Sequence, residues 1–255
     1  MSLPKPLRYL WACWGLPWML LLTGVIASLV VLAGALGVGQ NRIQVLARLW
    51  ARLLAGGVGC RISVSGLENL EPGATYVFAS NHASALDILA LLAVLPNNFR
   101  WIAKKELFSI PVFGPSLKAA GYIAIDRSDN RAAMRSIIDA AQRIRDGASV
   151  VIFPEGTRSA DGKLLPFKSG GFMLAQRSGR PVAPVAIIGS HDVLPAKSLL
   201  VDPGSIHVKI GQPLTPEEVR GLDRDQLSEL TRRRVQALLG QEESNAPLET
   251  LAGQA

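Results

Sequence analysis

Hydrophobic positions along this chain fall into two regimes. From Tyr9 to Asn41, in YLWACWGLPWMLLLTGVIASLVVLAGALGVGQN, no residue is charged. An uninterrupted apolar run of this kind has the composition of a membrane helix. Wholly helical it would extend ~50 Å at 1.5 Å per residue, against a hydrocarbon core of about 30 Å, so it exceeds one upright span. A tilted helix, a span with an interfacial extension, or two shorter helices broken near Pro17 or Gly24 would each absorb the excess. Lys5 and Arg8 before the run and Ala33-Gly34-Ala35 near its end imitate a signal peptide. Secretory apolar cores are only about 7–15 residues long, however, which favours a retained anchor. The next segment, IQVLARLWARLLAGG (43–57), carries apolar residues at helical spacing with arginines between them. It predicts an amphipathic helix at the membrane surface.

Beyond residue 57 the apolar runs shorten and alternate with helical patterns. CRISVSG (60–66) alternates as a strand does, and TYVFAS (75–80) is a compact apolar run. ALDILALLAVLP (85–96) predicts an apolar helix closed by Pro96, while RWIAKK (100–105) and YIAID (122–126) predict strands. RAAMRSIIDAAQRIRDG (131–147) places Met134, Ile137, Ile138, Ala141 and Ile144 on one helical face, with Asp129 as N-cap and Gly147 past the end. SVVIFP (149–154) and PVAPVAII (181–188) fit buried strands separated by a helix over 169–178, and IHVKIG (206–211) is a further strand. Thr215-Pro216-Glu217-Glu218 reads as an N-cap, a first-turn proline and a capping-box glutamate, opening one helix that runs to about Leu239. The polar tail from Gln241 has the composition of disorder. The expected organisation is an anchor with its amphipathic helix over 1–57, one α/β domain over 58–240, and a tail over 241–255.

Charge and cysteine content narrow the classes. The net charge is +7, so an anionic partner is expected. The cations are spread along the chain, only 6% of residues are aromatic, and no nucleic-acid-binding signature occurs. Beside a membrane anchor, phospholipid is the anion of choice. Arg42, Arg48, Arg52 and Arg61 follow the apolar run against Lys5 and Arg8 before it. The positive-inside rule then puts the large C-terminal part in the cytoplasm, as would a hairpin with both ends inside. Cys13 and Cys60 are the only cysteines, and they match no disulfide framework or zinc spacing.

Two stretches carry candidate chemistry. In SNHASALD (80–87), His82 and Asp87 would point ~140° apart on one regular helix. They meet only if His82 sits on the loop and Asp87 in the first helical turn. Ser84-x-x-Asp87 permits that, and it also permits a plain capping box beside a surface histidine. The alternative is a carboxylate orienting an imidazole as general base. FPEGTRS (153–159) ends an apolar strand, where α/β proteins place their sites. Gly156 allows close backbone approach and Arg158 offers a fork of donors for a phosphate, although Glu155 and Arg158 would also make a simple ion pair. Lys104, Lys105, Arg127 and Lys168 follow other strand-like runs and together suggest a phosphate-binding cleft. His191 and His207 stand in ordinary loop and strand contexts, and no GxSxG, HExxH or P-loop motif is present.

NHASALD and FPEGTRS, in this order and about 70 residues apart, resemble the first and third blocks of the glycerolipid acyltransferase family. KELFSIPVFG (105–114) with GYIAIDR (121–127), and RPVAPVAI (180–187), resemble the intervening and fourth blocks. The likeness covers roughly residues 43–215 and is nearest to bacterial 1-acyl-sn-glycerol-3-phosphate acyltransferases. It implies a single mixed α/β sheet flanked by helices, and direct acyl transfer without an acyl-enzyme. His82, oriented by Asp87, would deprotonate the sn-2 hydroxyl of lysophosphatidate. The acyl donor would be acyl-CoA or acyl-carrier protein, with no cofactor and no metal. Glu155, Gly156, Thr157 and Arg158 would hold the glycerol phosphate, with Lys105 and Arg127 as further candidates. The expected location is the inner (cytoplasmic) membrane, the catalytic part facing the cytoplasm. Another lysolipid acceptor, such as a lyso-ornithine lipid, or a non-catalytic lipid-binding role stays open.

Overall fold

The computed structural model describes residues 5–125 and 130–240, apart from the side chains of 5–10, 12 and 130–134. Two long helices come first, α1 (Lys5–Ala35) and α2 (Gln40–Gly57). The remaining elements follow as β1 (Cys60–Ser65), β2 (Val77–Ser80), α3 (Leu86–Val94), β3 (Phe99–Lys104), α4 (Phe113–Ala119), β4 (Ile123–Ile125), α5 (Asn130–Arg145) and β5 (Ser149–Ile152). After these lie α6 (Met173–Ser178), β6 (Val182–Ile188), α7 (Ser190–Val193), β7 (Gly204–Ile210), α8 (Pro216–Gly221) and α9 (Arg224–Leu239).

Among the described residues, seven strands form one sheet in the order β1-β7-β6-β2-β5-β3-β4. Neighbours pair in parallel except β6 with β7, so β1 and β7 run against the other five and the sheet is mixed, as expected. The continuous apolar runs of the central strands follow from burial on both faces. Phe78, Val151, Ala183, Val185 and Ile187 face a cluster with α1, α2 and α3. Their strand neighbours Val77, Ala79, Val150, Ile152 and Val182 face a second cluster with Ala140, Ile144, Phe172, Leu174 and Leu227. The edge strand β1 and its neighbour β7 alternate between buried and more exposed positions. At the end of β1, Gly66 adopts φ +82° and passes against the Ile210 carbonyl, leaving no room for a Cβ.

The N-terminal segment differs from several of its expectations. α1 is one helix, unbroken at Pro17 or Gly24, and it folds back on α2 as a hairpin. The indoles of Trp11, Trp14 and Trp18 donate to Val58 O, Gly57 O and Leu53 O, pairing carbonyls at the end of α2. Leu22, Ile26 and Val30 of α1 are buried in the same cluster as the sheet, so the hairpin lies along the domain. Two of the arginines of α2, Arg48 and the exposed Arg52, bond to the neighbouring chain around the end of α3. Arg48 donates to Pro96 O and Asn97 O, in the turn that follows α3, and Arg52 to Ala93 O, in the last turn of α3, where the helix leaves carbonyls without an intrahelical donor. The hairpin exposes large apolar side chains, Leu20, Leu21 and Leu32 of α1, Leu36 just after it, and Val45, Leu49 and Leu53 of α2, beside the exposed Arg42 and Arg52.

The C-terminal helix predicted as one piece is two. α8 starts at the expected Thr215–Glu218 capping box, and a second box then restarts the chain, with Asp223 capping Asp225 N and Gln226 N. The short α4 and α7 were not legible from periodicity. Asp129 and the tail from Gln241 lie outside the described residues.

Candidate active site

Strands β2 and β5 are parallel neighbours, with Ala79 opposite Ile152. Their carboxyl ends therefore deliver SNHASALD and FPEGTRS to the same edge of the sheet. Asn81, buried just past β2, extends the pairing with its side chain: Nδ2 donates to Ile187 O at 2.9 Å, and Oδ1 accepts from Ile187 N at 2.7 Å. This locks the start of the loop to β6. Nothing local in the sequence signals it, since the partner lies 106 residues away.

His82 and Asp87 do meet. His82 Nδ1 lies 2.8 Å from Asp87 Oδ2, and the same oxygen accepts from Ala83 N and Ser84 N at 2.8 Å each. Asp87 is 0% exposed, and its buried Oδ1 has no hydrogen-bond partner among the described residues. Since a carboxylate accepts only, Nδ1 carries the proton and Nε2 is the basic nitrogen. The imidazole also stacks on Phe153, from the end of β5, with centroids 4.0 Å apart and planes 19° apart. The His82 side chain is 16% exposed, so the ring is held and yet reachable. The capping reading survives in part. Asp87 reaches back to the Ser84 amide, but Ser84 Oγ accepts from Leu86 N and donates to Leu194 O, so no reciprocal box forms.

Glu155 ties the two loops together and is not ion-paired to Arg158. Its Oε1 accepts from His82 N at 2.6 Å and its Oε2 from Leu165 N at 3.2 Å. Ser159 N returns a bond to His82 O at 2.8 Å. Glu155 is 2% exposed, and burial pushes its pKa up to about 7 against the pull of its two N–H donors; the charge of Asp87 adds to the rise. Gly156 takes φ +74°, with Lys168 Nζ close to where a Cβ would stand. Thr157 and Arg158 are exposed, and Arg158 makes no hydrogen bond or ion pair among the described residues. Lys104, the last residue of β3, and Lys105 after it are both exposed at this same edge, whereas Arg127 lies outside the described residues. Of the other histidines, His191 packs its ring on Gly162 after β6, and His207 is held on β7 by Ser63 Oγ and Ser65 Oγ.

The edge thus joins an oriented imidazole to a glycine turn flanked by cations, a combination suited to deprotonating a hydroxyl next to a bound phosphate. A family model for acyltransferases matches residues 61–188. The chloroplastic 1-acyl-sn-glycerol-3-phosphate acyltransferase BAT2 of Brassica napus is 37% identical over 171 residues, which are 66% of this chain and 49% of that protein. The 1-acyl-sn-glycerol-3-phosphate acyltransferase alpha of Mus musculus is 34% identical over 212 residues, 80% of this chain and 73% of that protein. The chain spans about half the length of some of the curated relatives it matches. The crystal structure of the 1-acyl-sn-glycerophosphate (LPA) acyltransferase PlsC from Thermotoga maritima superposes with a TM-score of 0.80, covering 95% of this chain and 99% of that one at 23% identity, a likeness of fold. By the match of the family model and of its relatives, the chain belongs to the acyltransferase family.

Proposed function

We propose that this protein is a membrane-associated 1-acyl-sn-glycerol-3-phosphate acyltransferase, moving a fatty acyl group from acyl-CoA or acyl-carrier protein to the sn-2 hydroxyl of lysophosphatidate. The observation that carries the reading is the His82–Asp87 pair, 2.8 Å apart, at the sheet edge that also presents the Gly156–Arg158 turn. The names of the curated relatives support the same acceptor.

In this mechanism Nε2 of His82 takes the hydroxyl proton as the oxygen attacks the thioester carbonyl carbon. The tetrahedral adduct then expels the thiolate, which recovers the proton from Nε2. Asp87 stabilises the transient imidazolium through Nδ1, and Phe153 keeps the ring in plane. Arg158, Thr157 and the Gly156 backbone receive the phosphate, with Lys168, Lys105 and Arg127 as further cations. Glu155 fixes the turn through two backbone amides and stays out of contact with substrate. The exposed apolar side of α1 and α2 lies in the bilayer, where acceptor and product reside. The domain faces the cytoplasm from the inner membrane, where both thioester donors are found.

The test is an acceptor panel with purified protein: lysophosphatidate, glycerol 3-phosphate, lyso-ornithine lipid and lysophosphatidylcholine, each with acyl-CoA and with acyl-carrier protein. Lysophosphatidate should be preferred, and His82→Ala should abolish transfer while the protein stays with the membrane fraction. Preference for another acceptor would overturn the substrate, and retained activity in His82→Ala would overturn the base.

A further inference from the structure

The opposite end of the sheet holds a second cationic site, independent of the reading above. There the N-cap and first residues of α2 (Gly39–Arg42), the start of β3 (Arg100) and the segment closing α5 (Arg143 and 146–148) line a cleft of about 610 Å³. Arg100 is 2% exposed, yet its guanidinium bonds only neutral oxygens: Gln44 Oε1 at 2.6 Å, Asn41 Oδ1 at 2.8 Å and Phe99 O at 3.0 Å. Among the described residues it has no carboxylate partner within ion-pair distance, an expensive arrangement for a buried charge. Gln44, equally buried, has its Nε2 without an acceptor beside it.

The rest of the cleft has the same sign. Arg42 is exposed, and its side chain bonds to no described residue. Arg143 is partly exposed; it donates to Gly121 O and pairs with Asp139. The 18-residue α2 begins here at Gly39, which supplies no capping side chain, and the amides of Gln40 and Asn41 have no acceptor among the described residues. Such an end is positive and donor-rich. Against these stands Asp146, whose Oδ1 already accepts from Gln142. Exposed Leu32 of α1 and Leu36 just after that helix lie shortly before this cleft in the chain.

We propose that this cleft binds a phosphate group, with Arg42 and Arg143 at its mouth, Arg100 at its base and the first amides of α2 between them. A tetrahedral anion matches several arginine forks and helix-end amides at once better than a single carboxylate does. The group can come from a membrane phospholipid whose chains follow Leu32 and Leu36, or from free phosphate.

The experiment measures thermal protection of the purified full chain in neutral detergent, titrated with inorganic phosphate in one arm and phosphatidylglycerol in another. It is run on the wild type, on Arg158→Ala and on Arg42→Glu. Arg42 has no partner to lose, so Arg42→Glu should melt as the wild type does without ligand. Protection should persist in Arg158→Ala and need at least about tenfold more ligand in Arg42→Glu. Protection by phosphatidylglycerol alone assigns the site to lipid, and protection by both assigns it to phosphate in general. Protection lost in Arg158→Ala and kept in Arg42→Glu would place all anion binding at the His82 edge and overturn the proposal. No protection in either arm would overturn it as well.

Discussion

Replacing Glu155 with glutamine tests whether a buried carboxyl couples the two loops of the site. The carboxyl titrates near pH 7 because of burial, against an ordinary 4.5. Its folded pKa is therefore above its unfolded one, and between pH 4.5 and 7 the native state binds more protons. The stability this contributes is fully present below 4.5 and is lost as pH rises through about 7. At about 1.4 kcal/mol per decade, the full loss is about 3.5 kcal/mol, of which about 2.5 kcal/mol falls between pH 5 and pH 8. For a chain of this size that part corresponds to roughly 5–10 °C in melting temperature. Glutamine cannot titrate, so the wild-type melting temperature minus that of Glu155→Gln should fall by this amount between pH 5 and pH 8. The variant is also less stable at pH 5, because its amide NH₂ must face His82 N or Leu165 N, leaving a buried donor unpaired at about 1–3 kcal/mol. Thermal unfolding of both proteins in one detergent across this range is the measurement. A difference that is flat, or that rises with pH, would refute the buried, titrating bracket.

Three further perturbations address separate links of the argument. Asp87→Asn should lower kcat by ~10²–10⁴-fold with little change in KM, since the carboxylate that balances the imidazolium is gone; steady-state kinetics at saturating donor would show it. Arg158→Ala should raise KM for a phosphate-bearing acceptor roughly 10–100-fold, the value of one charge-assisted contact, and an unchanged KM would remove the clamp role. Gly66→Ala combines a left-handed backbone with a collision against the Ile210 carbonyl, so it should cost more than about 1–3 kcal/mol and lower the melting temperature; a neutral result would disprove the close approach of β1 and β7 at that turn.

Much of the architecture was written in local pattern. The uncharged run, the compact strands, the Thr215–Glu218 cap and the alternation of strand and helix are near-neighbour features, so the α/β class and most elements follow from them. The chemical content of the site was legible for the same reason: His82 and Asp87 sit five residues apart, and Gly156 and Arg158 share one turn. Periodicity failed where elements are short, as in α4 and α7, and where a second cap restarts a helix, as at Asp223.

Long-range contact decided the rest. Both readings of SNHASALD used the same carboxylate, and only packing showed that Asp87 holds the imidazole and the loop amides together. Glu155 resembled a partner for Arg158 four letters at a time, but burial turned it toward His82 N and Leu165 N. Spacing made α2 an amphipathic helix, but only packing showed that its Arg48 and Arg52 bond carbonyls in and just after the last turn of α3. Residue types and their spacing thus determined which chemistry was available. Which donor meets which acceptor was set by the tertiary structure, because a buried polar group must find a partner wherever the fold brings one, at any distance along the chain.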